Sequence, residues 1–216
     1  MLRSLVGSEM CIRDRRGGAR FGLEPMWGVG REWRVFVFPY TRKVMPSFQV
    51  RPATLRDASA IAQVHTTALK AAYKDILPEE KISRMPVEKR QAMWREAIEY
   101  SEPQVKVVLD ENNKIIGFVG FDRSRDPKTK PTFGEIWAQY VLPTHWGQGA
   151  GLQLWDEARE GLDDEGCTEA SVWVPLRNER VLRFYELAGF KRELNTARTT
   201  PVGDIKIEEI RLKRPI

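Results

Sequence analysis

The stretch HWGQGAG, from His145 to Gly151, places three glycines within five positions. Before it, GEIWAQYV (Gly134–Val141) is typical of a strand, and after it the apolar residues recur at helical spacing. Glycine at such a junction indicates either a sharp bend of the backbone or the close approach of another group. We therefore expect a turn of special conformation, or a ligand, at the start of the helix.

Two common phosphate-binding patterns do not fit this turn. A Walker loop needs a lysine after its last glycine, and none follows Gly151. A dinucleotide fingerprint needs a third glycine where Leu152 stands, together with an early strand–helix–strand unit that the pattern lacks. What remains is a glycine turn at a helix start, where unpaired N–H groups and a partial positive charge favour a diphosphate. A tight turn without a ligand is the alternative for this stretch.

The rest of the chain alternates between strand and helix patterns. Strands are predicted at Ser47–Thr54, 105–110, 114–124, Gly134–Val141, Glu169–Val174, Phe190–Thr199 and Ile205–Leu212. Helices are predicted after Thr54, Pro78 and Pro86, over Leu152–Gly166 and over Asn178–Ala188. This order predicts an α/β fold whose sheet contains a parallel crossover around the glycine-rich helix.

The composition limits the class of protein. With 216 residues, of which 42% are apolar and 30% charged, the chain has the balance of one soluble globular domain. No apolar run is long enough to span a membrane, so we expect no membrane partner. The two cysteines, Cys11 and Cys167, form no disulfide framework, which predicts a cytoplasmic protein. The two histidines, His65 and His145, lie far apart, and we expect no metal site.

The net charge of +5 comes from the first 44 residues. They hold nine Lys and Arg against four Asp and Glu, whereas residues 45–216 hold 26 of each. The predicted domain therefore lacks the basic surface of a nucleic-acid-binding protein, and we expect no nucleic-acid partner.

The leader, residues 1–44, has no signal-peptide pattern and no period until Val35–Phe38. Its run VGSEMCIRDR (Val6–Arg15) is similar to a translated sequencing adapter of the transposase type. We interpret residues 1–44 as a non-native, disordered leader from adapter or upstream translation, and residues 45–216 as the functional domain, starting at Met45. A genuine organelle leader is the alternative.

Two segments together indicate a family. YVLPTHWGQGAG, followed after a strand by NERVLRFYELAGF, resembles the GNAT superfamily of acyl-CoA-dependent N-acetyltransferases. The resemblance covers nearly all of residues 48–212 and makes residues 45–216 an N-acetyltransferase domain. It implies a GNAT fold, which has a mixed, mostly antiparallel sheet, a splayed parallel pair of strands at the cofactor cleft, and flanking helices. Trp146 departs from the family pattern, because it stands where the family's loop has Arg or Gln.

The resemblance also implies a cofactor site for acetyl-CoA without a metal. The diphosphate would lie on the glycine turn, and pantetheine would pair with the end of the preceding strand, where the N–H of Val141 would stabilise the oxyanion. The implied cofactor-binding residues are Gln139, Tyr140, Val141, Gly147, Gln148, Gly149, Ala150, Gly151, Leu152 and Asn178. Asn178 can equally serve as a plain helix N-cap.

Tyr185 matches the general-acid tyrosine of the family, which protonates the departing thiolate. Its alternative role is to pack the helix against the sheet. Glu135 is the hypothesis for the general base, because some members carry a glutamate on this strand. Other members carry it on the following strand, where this chain has Trp173.

His65, on the first helix, is an alternative base, although a packed histidine is the simpler interpretation. Tyr73, Trp94 and Trp137 are candidates for the acceptor pocket, because the family builds that pocket from the helices after the first strand. Aromatic residues at helical spacing also serve as core.

The leading prediction is an N-acetyltransferase that moves the acetyl group of acetyl-CoA to a primary amine of a small molecule or peptide by direct attack. A non-catalytic acyl-CoA sensor of the same fold is the alternative, and a structural domain without a ligand is the third. Homodimers are common in this family, but the sequence indicates no interface.

Overall fold

The computed structural model describes residues 48–76, 86–202 and 205–216. The leader predicted at residues 1–44, and the start of the helix predicted after Pro78, lie outside the described residues. No helix in the described ranges is long and apolar enough to cross a membrane.

The described residues form one α/β unit in the predicted order. The strands are β1 (Gln49–Pro52), β2 (Gln104–Leu109), β3 (Ile115–Arg123), β4 (Phe133–Val141), β5 (Glu169–Pro175), β6 (Lys191–Arg192), β7 (Arg198–Val202) and β8 (Ile205–Pro215). The α-helices are α1 (Ala58–Tyr73), α2 (Val87–Tyr100), α3 (Ala150–Asp164) and α4 (Glu179–Leu187).

The strands form one sheet in the order β1-β2-β3-β4-β5-β8-β6, with β7 paired to β8. Among the described strand pairs, β4 and β5 run parallel and the others run antiparallel. Parallel neighbours need a crossover, which α3 provides between β4 and β5. The predicted mixed, mostly antiparallel sheet is therefore confirmed.

The parallel pair separates halfway along β4. Pairing with β5 runs from Phe133–Glu169 to Ile136–Val172 and then stops, although β4 continues to Val141. At the same point the register between β3 and β4 shifts, which leaves Trp137 without an opposite residue. Such a bulge bends a strand and increases its twist. It accounts for the separation of β4 from β5 and confirms the predicted splayed pair.

Helices cover both faces of the sheet. α3 packs its apolar stripe against one face, where Leu154, Trp155, Ala158 and Leu162 are at most 1% exposed. A second cluster, which joins α1 and α2 to β2 and β3, is centred on Ile61, Trp94 and Phe118. The two clusters hold β4 between them and position its second half at the edge of the core.

The strand predicted at Phe190–Thr199 is broken in the structure. β6 ends at Arg192, a short 3-10 turn covers Leu194–Thr196, and β7 begins at Arg198. Arg211 of β8 stabilises the turn between the two strands. Its Nε donates to Glu193 at 2.6 Å, and its backbone N–H donates to the Thr196 hydroxyl at 3.1 Å. These contacts join residues that are distant in sequence, so the local pattern did not predict them.

Candidate functional site

A cavity of about 500 Å³ opens where β4 and β5 separate. Its walls come from the end of α1, from Ile136–Val141, from Val172–Pro175 and from the start of α4. Five of the predicted site residues line it: Gln139, Tyr140, Val141, Asn178 and Tyr185. The fold therefore brings these five residues, which come from β4 and from the α4 region, to one cavity.

The backbone of β4 faces the cavity at alternate residues. The N–H of Leu142 donates to Ile116 of β3 at 2.8 Å. Because polar groups alternate sides along an antiparallel strand, the N–H and C=O groups of Gln139 and Val141 point away from β3, toward the gap. The carbonyl of Val141 accepts the indole N–H of Trp146 at 2.8 Å. The N–H of Val141 makes no hydrogen bond among the described residues and remains available to a ligand.

The glycine turn leaves backbone amides open at the start of α3. Gly147 and Gly149 adopt φ values of +73° and +98°, which other residues rarely adopt. The N–H groups of Leu152 and Gln153 bond to the Gly149 carbonyl at 3.0 and 3.1 Å. The N–H groups of residues 147–151 make no hydrogen bond in the described part of the chain. Open amides at a helix start form a ready anion site.

The other predicted residues of the turn differ in what their side chains do. A Cβ on Gly151 would lie 3.4 Å from the Phe184 ring, an ordinary van der Waals distance, so packing against α4 does not by itself require glycine at this position. The Gln148 amide donates to the Thr144 carbonyl at 2.9 Å, and the Leu152 side chain is 48% exposed. Ala150 is buried. These residues can therefore contribute backbone, rather than side chains, to a ligand.

A chain of hydrogen bonds links Tyr185 to the glycine turn. The Tyr185 hydroxyl donates to Oε1 of Gln139 at 3.1 Å, and Nε2 of Gln139 donates to the Gly151 carbonyl at 2.7 Å. Tyr185 is 3% exposed, and burial raises the pKa of its phenol. The hydroxyl is therefore protonated at neutral pH and held at a defined place on the cavity wall.

Asn178 caps α4 and also lines the cavity, and its predicted role in binding the cofactor stays a prediction. Its Oδ1 caps α4 by accepting the N–H of Val181 at 3.3 Å. The residue also lines the cavity and is 8% exposed. Because the cap uses only the oxygen, the amide NH₂ remains a donor for a ligand.

The structure does not bring Glu135 to the cavity. Its side chain is 2% exposed, accepts the backbone N–H of Arg125 at 2.9 Å and forms an ion pair with the Arg125 guanidinium. Glu135 is not among the described residues that line the cavity. The role of general base stays a prediction, and this geometry speaks against it.

His65 is not among the described residues that line the cavity either. Its Nδ1 accepts the indole N–H of Trp94 at 3.0 Å, and burial lowers its pKa to about 4. A neutral histidine whose Nδ1 is an acceptor carries its proton on Nε2, so neither nitrogen is free to take a proton. His65 and Trp94 belong to the core, together with Tyr140, whose ring centroid lies 4.6 Å from that of His65.

The acceptor candidates divide in the structure. Tyr73 and Trp137 line the cavity, and Trp94 does not. Burial raises the pKa of Tyr73, and also that of Tyr140 to about 12, so both phenols are neutral. Trp173 lines the cavity as well, with its indole N–H on Asp126 at 3.1 Å.

Three charged residues that line the cavity at the start of α4 were not predicted from the sequence, namely Arg177, Glu179 and Arg180. Arg177 and Arg180 flank Asn178 and line the cavity. Their position on either side of the predicted N-cap was the available signal, since residues next to a ligand-facing cap share its surroundings.

Residues 68–190 of the chain match the Acetyltransferase (GNAT) family. YuaI, an uncharacterized N-acetyltransferase of Bacillus subtilis, is 27% identical over 166 residues, which cover 77% of this chain and 92% of that protein. The PaiA N-acetyltransferase of Thermoplasma acidophilum, solved in complex with coenzyme A, has a TM-score of 0.63 and 21% identity, over 78% of this chain and 99% of that one. YncA of Salmonella typhimurium, solved with acetyl-CoA, has a TM-score of 0.60 and 21% identity, over 78% and 94%.

The splayed sheet, the glycine turn and these similarities define an acyltransferase fold. The chain belongs to the GNAT acetyltransferase family, which confirms the predicted family, its fold and the acyltransferase class.

Proposed function

We propose that the protein transfers the acetyl group of acetyl-CoA to a primary amine of a small molecule or peptide. One observation supports this function above the others. One cavity and the turn next to it hold three groups suited to this reaction: the Tyr185 hydroxyl, the open N–H of Val141 and the open amides of the glycine turn. PaiA and YncA, which share the fold, were solved with coenzyme A and acetyl-CoA, respectively.

The residues present fit this cosubstrate. The open amides up to Gly151 suit a diphosphate, and the gap-facing groups of Gln139 and Val141 suit the amides of pantetheine. The Asn178 NH₂ adds a side-chain donor on the opposite wall. Acetyl-CoA, when bound, supplies the activated thioester on which the amine acts.

The chain would promote transfer mainly by positioning and hydrogen bonding. The N–H of Val141 would donate to the acetyl oxygen as negative charge develops there, an effect of about 3–4 kcal/mol in other enzymes. Holding the amine and the thioester in one cavity lowers the entropic cost of their encounter, so a covalent enzyme intermediate is not required. Buried Cys167 has a raised pKa and packs in the core, away from this chemistry.

Tyr185 would donate its proton to the departing thiolate. Burial keeps the phenol protonated, and Gln139 holds the hydroxyl until the sulfur takes the place of the amide oxygen as acceptor. The amine enters as the free base, and after attack its nitrogen releases one of its two protons to solvent at the cavity mouth. Tyr185 regains a proton from solvent once the thiol has left, so the proton count balances. Glu135 as general base remains the competing prediction. The cytoplasmic location and the homodimer also remain predictions.

The test is a calorimetric titration of the full chain with acetyl-CoA, followed by an amine screen for thiol release. Gly149→Glu places a strained residue and a negative charge at the start of α3, and it should weaken binding at least a hundredfold. The matched control is Gly166→Glu at the other end of α3, where φ is also positive (+77°) and a Cβ meets nothing within 4 Å.

Binding that Gly149→Glu abolishes and Gly166→Glu keeps, together with turnover of an amine, would support the proposal. Binding without turnover of any amine would favour the acyl-CoA sensor. A folded wild-type protein that does not bind acetyl-CoA would contradict both functions.

A further inference from the structure

Three tryptophans line the cavity, and each carries an arginine guanidinium over its ring. The distances from the guanidinium carbon to the ring centroid are 4.2 Å for Arg125 on Trp137, 3.4 Å for Arg198 on Trp173 and 3.9 Å for Arg180 on Trp146. Such stacks hold an arginine side chain in place without using its N–H donors. The three pairs differ in what those donors contact.

The arginines stacked on Trp137 of the β4 bulge and on Trp173 of β5 each pair with carboxylates. Arg125 pairs with Glu135, which is 2% exposed. Arg198 lies 3.5 Å from an oxygen of Asp126 and 3.5 Å from an oxygen of Glu209. The positive charges of both arginines are therefore compensated within the protein.

Arg180 differs from both of them. It forms no ion pair with a carboxylate of the described residues, although its guanidinium is fixed on Trp146. It also lines the cavity itself, whereas Arg125 and Arg198 are not among the described lining residues. Asp75 and Glu179 also line the cavity, but neither forms an ion pair with Arg180 within 4.0 Å. A held cation that faces a cavity and pairs with no described carboxylate is suited to an anionic ligand.

Trp146 places this cation beside the glycine turn. Its indole N–H is anchored on the Val141 carbonyl at 2.8 Å, and Gly147, the first residue of the turn, follows it directly. The guanidinium therefore stacks on the residue that directly precedes the open amides of the turn. Amides alone supply only partial charges, and Arg180 adds a full charge that can form bidentate hydrogen bonds with phosphate oxygens.

We propose that Arg180, held by Trp146, binds a phosphate group of coenzyme A and replaces the side-chain cation that the loop lacks at position 146. This inference rests on the proposed function, because coenzyme A is the ligand that the cleft would hold. The phosphate is either part of the diphosphate or the 3′-phosphate of the ribose, which share the chemistry that Arg180 would recognise.

The experiment measures the Kd of coenzyme A and of dephospho-coenzyme A, which lacks the 3′-phosphate, by calorimetry at low and high salt. Arg180→Gln should weaken coenzyme A binding about tenfold, equivalent to about 1.4 kcal/mol. It should also make the Kd less dependent on salt, because a charge pair at the surface is screened. Arg183→Gln, on the same helix and outside the described cavity lining, is the matched control and should bind like the wild type.

The two ligands identify the phosphate. If Arg180→Gln weakens both equally, the diphosphate is the partner; if it weakens only coenzyme A, the 3′-phosphate is the partner, and both results support the proposal. Adding Trp146→Arg to Arg180→Gln should restore most of the affinity and the salt dependence, which a merely structural role of Arg180 would not explain.

Equal affinity of Arg180→Gln, Arg183→Gln and the wild type would overturn the assignment of Arg180 while leaving the proposed function intact. A wild-type protein that binds neither ligand would instead contradict the proposed function, and the role of Arg180 would fall with it.

Discussion

The two halves of β4 have the same local pattern and opposite roles. Phe133–Ile136 pairs with β5, and its four residues are buried. Trp137–Val141 continues the strand without β5, and its five residues are only partly buried. The first half belongs to the core, and the second half forms a wall of the cavity. The bulge at Trp137 is the point at which one strand changes from structure to site.

Polar groups show the same contrast. In the paired half, Glu135 is engaged by Arg125, and the Gly134 carbonyl accepts the Ser171 hydroxyl at 2.9 Å. In the open half, the N–H of Val141 has no partner among the described residues, and Gln139 holds Tyr185 at the cavity wall. Buried polar groups with full sets of partners stabilise a fold, whereas groups left open are available to a ligand. The first half of β4 therefore contributes to stability, and the second half offers open groups to the proposed ligand.

The largest effect is expected from removal of the Tyr185 hydroxyl, which contacts Gln139 in the second half of β4. Tyr185→Phe keeps the ring packing on Phe190, at a centroid distance of 5.1 Å, and removes only the hydroxyl. We expect kcat to fall roughly 100-fold, the lower end of the range of general acid catalysis, while the Kd of acetyl-CoA changes little. Steady-state kinetics of thiol release, with calorimetry for binding, measure the two effects.

Tyr140→Phe is the matched control, because it removes a phenol hydroxyl from a residue of the same cavity lining but leaves the backbone of β4, with which pantetheine would pair, unchanged. It should change kcat less than about threefold. If Tyr185→Phe retained wild-type kcat, the tyrosine would serve only to pack α4 against the sheet.

The next largest effect is expected on stability, from Glu135 in the first half of β4, which pairs with β5. Glu135→Gln removes a buried charge from its partner Arg125 and should lower the free energy of unfolding by roughly 2 kcal/mol, the typical loss for a hydrogen bond to a charged group. The pH–rate profile should stay unchanged, because Glu135 lies outside the described cavity wall. Denaturant unfolding and kcat/KM across pH test the two expectations.

Glu157→Gln provides the comparison for stability. Its carboxylate pairs with Lys106 at 2.7 Å but is 38% exposed, so we expect a loss below about 1 kcal/mol. Loss of the acidic limb of the pH–rate profile in Glu135→Gln, with unchanged stability, would return Glu135 to the role of general base and break the contrast between the two halves.

The smallest effect is expected on the pH dependence of stability. It comes from His65, whose ring packs against Tyr140 in the second half of β4. Burial, together with the charge of Arg90, lowers the pKa of His65 to about 4, whereas the unfolded chain has the ordinary value of 6.5. As the pH falls from 6.5 toward 4, the unfolded chain binds a proton that the folded protein does not, so stability decreases. Urea unfolding at pH 7 and pH 5 should show this decrease, and His65→Gln should reduce it.

Asp57 does not contribute in that range. Its hydrogen bond from Arg51 lowers its pKa to about 2, and its stabilising effect is lost only as the pH falls from about 3.8 toward 2. An equal decrease between pH 7 and pH 5 in His65→Gln and in the wild type would show that other groups cause it.

Much of the fold could be predicted from local patterns. Helical spacing predicted α1, α2 and α3, alternation predicted most strands, and the glycines after His145 indicated a turn of special conformation, which has positive φ values at Gly147 and Gly149. The family resemblance placed Gln139, Asn178 and Tyr185, and the structure brings these three residues to one cavity. Such predictions succeed because they depend on residues that are neighbours in sequence.

Only the tertiary structure decided which half of β4 forms the cavity. The bulge at Trp137 depends on the register with β3, and the burial of Glu135 depends on Arg125. The stack of Arg180 on Trp146 joins α4 to the glycine turn. Each of these features arises from contacts between segments that lie apart in the chain, and a local pattern of residue types does not carry the distance between them.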